Sequence, residues 1–156
     1  MGSISVKIEN ERDLMLKFDK MNIAPMDFFK PILESIGNDM VRAMRAEAPV
    51  SKYGVKSKAY ESRTHAPGTL RRSIGKKVGG DSIPTVWVSP RRYEKRSADA
   101  WYSHIVLGGH TYKTELGTSR TKPNPFVREA YDKSKSSIET KAVRMVEARI
   151  KKLMAI

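Results

Sequence analysis

The 156-residue chain contains no cysteine. That excludes disulfides, thiol catalysis and cysteine metal sites, and it fits a reducing compartment. Long apolar runs are missing as well. None approaches the roughly 20 residues that a membrane-spanning helix needs, so no membrane contact is expected. Met1-Gly2-Ser3-Ile4-Ser5 lacks the charged start and apolar stretch of a signal peptide. Histidine is scarce, with His65, His104 and His110 making up the set of three. They form no HxH or HExxH pair, and a His104–His110–Glu115 site would straddle a glycine turn at a spacing that suits ligands poorly. No serine sits in a nucleophile elbow. The acidic group Glu9, Glu11 and Asp13 has no histidine beside it and reads as a solvated turn into a helix. Neither a cofactor, a metal nor a catalytic group is expected, and a non-enzyme is the better reading.

What the chain has is positive charge, +13 in all. Residues 1–50 carry seven basic and eight acidic side chains, residues 51–77 eight and one, and residues 78–156 fifteen and eight. The basic character therefore begins after residue 50. Such clustering points to contact with phosphates or with an acidic protein surface. The hydrophobic fraction, 39%, is enough for one core, and the length suits one domain over residues 1–156.

Ser5–Glu9 alternates like a short strand, and Leu14, Leu16, Phe18 and Met21 follow in a segment of open type. From Met26 to Ala48 the pattern is helical, with Phe29, Ile32, Leu33, Ile36, Met40, Ala43 and Met44 on one face. Pro25 suits a first helical turn. Pro31 means either that the main helix starts there or that it kinks. Gly37 weakens the middle, and a close helix crossing would explain it. Pro49 ends the run.

A long basic loop follows, at about 50–67. Lys52, Lys56, Lys58 and Arg63 interleave with Tyr53 and Tyr60. The composition leaves three readings open. One is a nucleic-acid track with stacking platforms, the second a protein contact anchored by tyrosine and arginine, and the third a solvated loop. Pro67-Gly68 is a turn signal. Leu70, Arg72 and Ile74 then alternate as a strand would, through Val78. Gly79-Gly80-Asp81-Ser82 reads as a hairpin connection, and Thr85–Ser89 as a strand with Val86 and Val88 opposite Trp87. Trp101–Leu107 is a strand or a short helix ended by Gly108-Gly109. A short Tyr112–Leu116 stretch is expected to pair weakly. Asn124 as N-cap and Pro125 at the first position start a helix to about 154, with Glu129–Lys133 and Glu147–Lys151 as supporting pairs. Its far end either meets a neighbouring subunit or bends round its own core. The class is α+β, a small antiparallel sheet flanked by an N-terminal helix and a long C-terminal helix.

The order of motifs resembles the tail-component family of long-tailed bacteriophages, whose members act in tail completion and head–tail joining. The family pattern has a helix ending in Ala-Pro, a Gly-x-Leu-Arg-x-Ser-Ile segment and a Val-x-Val strand. A Tyr-Ala-x-x-Val-Glu-x-Gly-Thr segment follows, then a Pro-Phe entry to the last helix. Here these are Ala48-Pro49, then Gly68-Thr69-Leu70-Arg71-Arg72-Ser73-Ile74, then Val86-Trp87-Val88. Tyr102 to His110, including Gly109, comes next, and last Pro125-Phe126-Val127-Arg128-Glu129-Ala130. Ser103, Leu107 and His110 depart from the fourth motif, whose end is alternatively supplied by Glu115-Leu116-Gly117-Thr118. The loop before Pro67 is also longer than the pattern has.

The resemblance implies a structural virion protein at the neck or top of the tail, present in host cytoplasm during assembly. It implies a homo-oligomeric ring, expected to be hexameric, between head-completion or connector proteins and tail-terminator or tail-tube proteins, with DNA passing through its channel. Pro49, Gly68, Leu70, Arg71, Ser73, Tyr102, Gly109, Pro125 and Phe126 are then structural positions. The competing readings are a free nucleic-acid-binding protein and a metal-dependent nuclease using His104, His110 and Glu115.

Overall fold

The first element, α1 (Glu11–Lys20), is a ten-residue helix that, among its described side chains, buries Leu14 and Phe18. Its i, i+4 spacing puts both on one stripe. The chain leaves it through Asn22, whose φ of 51° is left-handed, a conformation asparagine tolerates better than most residues. This is a computed structural model, and it describes residues 11–50, 55–56, 64–65, 67–80, 83–91, 103–108, 110–114 and 117–155. The expected strand at Ser5–Glu9 lies outside them.

Pro25 starts α2 (Pro25–Glu47), where a missing N–H costs no helical bond. The helix runs unbroken through Pro31, which lies on the exposed side. It ends where Ala48 turns extended, with φ −63° and ψ 126°, ahead of Pro49. The segment read as one loop contains a short antiparallel ladder, β1 (Val55–Lys56) against β2 (Thr64–His65).

Residues 69–73 differ from the expected strand. They form a short helix, α3 (Thr69–Ser73), and β3 (Ile74–Gly79) begins only afterwards. The alternation was misleading because Leu70 and Ile74 are also four apart, a helical step, and Ser73 is buried beside them. β3 pairs in antiparallel register with β4 (Thr85–Pro90), from Ile74↔Pro90 to Gly79↔Thr85. Val86 and Val88 are half-buried and Trp87 is exposed, as the alternation predicts. Gly80 has φ 125°, and a side chain there would collide with the Ile83 carbonyl, so the turn requires glycine.

Beyond β4, α4 (Ser103–Gly108) resolves the strand-or-helix choice, and β5 (His110–Thr114) pairs with β6 (Gly117–Thr121). The last element is α5 (Phe126–Met154), a 29-residue helix. Asn124 does not cap it. Its backbone N–H instead donates to the Val106 carbonyl at 2.9 Å, tying the helix entrance to α4.

The two long helices pack antiparallel. Lys141 meets Asp39 at 2.6 Å and Lys133 meets Glu47 at 2.8 Å, so later residues of one helix face earlier residues of the other. Lys133 thus bonds across the interface to Glu47, with Glu129 of its own helix adding attraction. The hydrogen bond to Glu47 is the main reason its ammonium is held above the ordinary value of 10.5. A raised folded value means that the contribution from Lys133 is present in full below about 10.5 and is lost as pH climbs through the folded value. Lys133 is open to solvent, so that contribution is small.

Buried residues of α5 recur every fourth position: Phe126, Ala130, Ile138, Ala142 and Val146, with half-buried Ser134 filling the gap. α2 has the same rhythm in Phe28, Ile32, Met44 and Ala48, bridged by half-buried Ile36 and Met40. A four-residue step overshoots the helical turn by about 40°, so each stripe winds round its helix. The core accordingly forms two clusters. One joins Leu14, Phe18, Phe28, Ile32 and Val146, and the other Met44, Ala48, Leu70, Ile74, Phe126 and Ala130. The winding explains why Phe28 is deeply buried although it lies off the expected apolar face. Its ring sits 5.0 Å from Phe18 and 4.9 Å from Phe29, because α1 covers that side. The far end of α5 packs on its own chain, with Ile150 and Leu153 against the first cluster.

Gly37 marks a close crossing, but of a hairpin rather than a helix. A Cβ built there would lie 2.8 Å from Val86 Cγ2 and 3.0 Å from Lys76 Cδ. Val86 is β-branched and cannot swing aside cheaply. Gly37→Ala is therefore expected to lower stability by about 1 kcal/mol in urea denaturation, because overpacking outweighs the gain in helix propensity. In a Val86→Ala background the same change should be neutral or stabilising.

Candidate functional site

Sequence reasoning singled out two groups of residues, and they fare differently. Of the loop set, Lys52, Tyr53, Lys58, Tyr60 and Arg63 lie outside the described residues, and Lys56 is placed only as a residue of β1. Of the motif set, Tyr102 and Gly109 lie outside them. The rest of that set is brought together around the second core cluster.

Each motif residue there has a physical task. Gly68 precedes α3 with φ 79°, which is open to glycine and strained for other residues. Its carbonyl accepts the Arg72 N–H at 2.9 Å, closing the helical turn. Leu70 and Ile74 are 3% and 1% exposed and flank the turn. Arg71 reaches back, and its Nη2 donates to the Ala48 carbonyl at 3.2 Å. That carbonyl lies at the end of α2, where helical acceptors lack intrahelical partners. Ser73 is buried, and its Oγ donates to the Leu70 carbonyl at 2.7 Å. Its own carbonyl accepts the Arg91 N–H at 3.0 Å, which extends the β3–β4 pairing by one bond. Phe126 and Ala130 are fully buried in the same cluster, and half-buried Val88, Val106 and Leu107 close it. Pro125 takes the N-cap position with no side-chain bond and gives its carbonyl to the Glu129 N–H.

Beside this cluster opens a cleft that the sequence did not reveal. Its volume is about 330 Å3, and it runs between α2 and the α3–β3 junction. Asn38, Val41 and Arg45 line one wall, at three- and four-residue steps on one helix face. Ser73, Ile74, Gly75 and Lys76 line the other, with Arg72 and Arg91 at its sides. Among the described residues nine line the cleft, four of them cationic and none acidic. Arg45 donates to the Ile74 carbonyl at 2.9 Å, and Lys76 to the Glu34 carbonyl at 2.7 Å. Arg72 donates to the Pro67 carbonyl at 3.0 Å and the Thr69 hydroxyl at 3.3 Å. These acceptors fix the side chains without neutralising them. The available signal was the 38, 41, 45 spacing opposite Arg72 and Lys76, which needs the helix–hairpin contact before it can be read.

Among the described residues, no group of three or more histidine, aspartate or glutamate side chains is placed to hold a metal ion. No helix among them is long and apolar enough to cross a membrane. No protein-family model, curated protein or solved structure matches the chain.

Phe126→Ala should cost about 3–5 kcal/mol, a large cavity in a closed cluster. Ser73→Ala should cost about 1–3 kcal/mol by removing the donor to the buried Leu70 carbonyl. Urea denaturation measures both.

Proposed function

We propose that this chain is a structural protein of a tailed bacteriophage, acting at the neck or top of the tail to complete it and join it to the head. One observation carries the reading. The motif segments around Ala48, Leu70, Val88, Val106 and Phe126 are far apart in sequence yet meet in one buried cluster. A chance match to a motif pattern would not require its members to touch. A pattern that encodes one core would. The residues at those positions close turns, cap a helix and fill space, which is the work expected of a protein that acts by assembly.

Under this reading the protein forms a ring, six-fold in expectation. It docks on head-completion or connector proteins at one face and on tail-terminator or tail-tube proteins at the other. The +13 net charge suits acidic neighbours and the DNA that passes through such a ring.

The test is electron microscopy of particles made when the gene carries an early stop codon in the phage genome that encodes it. Filled heads beside unjoined or malformed tails are expected, and normally joined particles would overturn the reading. Replacing Lys52, Lys56, Lys58 and Arg63 together by serine should leave the circular dichroism spectrum unchanged while lowering the yield of joined particles.

A further inference from the structure

The cleft between α2 and the α3–β3 junction has the shape and charge of a binding site. We infer that it receives carboxylate side chains from an extended acidic segment of a partner protein. The inference stands on the cleft itself and holds whether or not the partner belongs to a virion.

Charge supplies the first argument. Arg45, Arg72 and Lys76 converge on one concavity, held by carbonyls and a hydroxyl that leave their charge uncompensated. Like charges gathered without a carboxylate repel one another, and an incoming anion relieves that repulsion. Arginine's planar fork matches a carboxylate with two parallel hydrogen bonds.

Gly75 supplies the second. A Cβ there would lie 2.6 Å from Arg91 Nε and 2.9 Å from its Cζ, so the guanidinium lies directly over the strand backbone. Only glycine leaves that seat open. β3 thus makes room in the cleft wall for Arg91, which follows β4, through the absence of a side chain.

Size and lining select the occupant. The volume of about 330 Å3 sits at the small end of ligand pockets, which suits a side chain or two from an extended segment. A DNA duplex presents its phosphates on a convex surface that such a cleft does not follow. Single strands bind by stacking bases on aromatic rings, and no aromatic side chain among the described residues lines the cleft. Half-buried Val41 offers apolar contact to the stem of a glutamate instead.

The experiment titrates the full-length 15N-labelled protein with a hexaglutamate peptide and, separately, with a dT12 oligonucleotide. Shifts should concentrate at the amides of Asn38, Ser73, Gly75 and Lys76, and peptide affinity should fall as salt rises. Arg72→Gln should weaken the peptide by about tenfold, the usual effect of losing one charge-assisted bond. Arg45 also holds the Ile74 carbonyl, so Gly75→Ala is the cleaner variant. It displaces the Arg91 guanidinium while leaving Arg45 and Arg72 in place, should retain the dispersed spectrum of the folded protein, and should weaken the peptide several-fold. Lys151→Gln with Lys152→Gln removes charge at the far end of α5 and should leave peptide affinity within about twofold of the parent. Peptide binding that ignores Arg72→Gln and Gly75→Ala, or that falls equally in the Lys151/Lys152 variant, overturns the inference. So does absent peptide binding, or an oligonucleotide that binds the cleft more tightly than the peptide.

Discussion

The packing of α2 against α5 is the contact on which the other elements depend. Both helices bury or half-bury every fourth residue over more than four turns, so neither offers a straight apolar face. Each stripe rotates by roughly half a turn between its ends, because four residues exceed the helical repeat. At one end the stripes face α1, and at the other they face α3 and the β3–β4 hairpin. A heptad pattern would have kept one seam and produced a coiled coil. The winding instead lets two helices organise two separate clusters.

The second cluster carries the chemistry of the surface above it. Arg45 and Arg71 both spend hydrogen bonds on backbone carbonyls at the α2–α3–β3 junction. Arg71 turns inward to the end of α2, while Arg45 stays at the cleft with its charge available. Two adjacent arginines in the sequence, Arg71 and Arg72, therefore serve different ends. One fastens the fold, and the other faces the cleft. The difference follows from α3: consecutive residues of a helix point about 100° apart, so neighbours in sequence address different surroundings.

Long periodic segments were legible in the sequence, and places where two periods coincide were not. The two long helices and the strand expected at Thr85–Ser89 stand where the pattern puts them, and the hairpin turns after Gly79, which itself pairs with Thr85. Leu70-Arg71-Arg72-Ser73-Ile74 misled because alternation and a four-residue step share Leu70 and Ile74, and a five-residue stretch is too short to separate them. Asn124 misled because Pro125, one residue later, holds the N-cap position, and the helix starts without a side-chain cap. Phe28 was missed because a single apolar face cannot represent a winding stripe. Of the candidate site, the motif positions were legible as a pattern, though their tasks emerged only once Ala48 and Leu70 were neighbours. The cleft was hidden because its walls come from residues 38–45 and 72–91, whose charges are unremarkable until α2 and β3 stand side by side.

Gly37 carries a mechanical consequence. It is the only glycine in α2, and the hairpin rests where that missing side chain lets Val86 and Lys76 approach. Everywhere else on the helix a Cβ stands in the way. The arrangement works as a detent: the hairpin has one notch, and sliding along the helix in either direction first requires lifting away from it. Force applied to the hairpin tip is then passed to α2, and through its ion pairs to α5, as thrust on a seated part instead of being dissipated as slip.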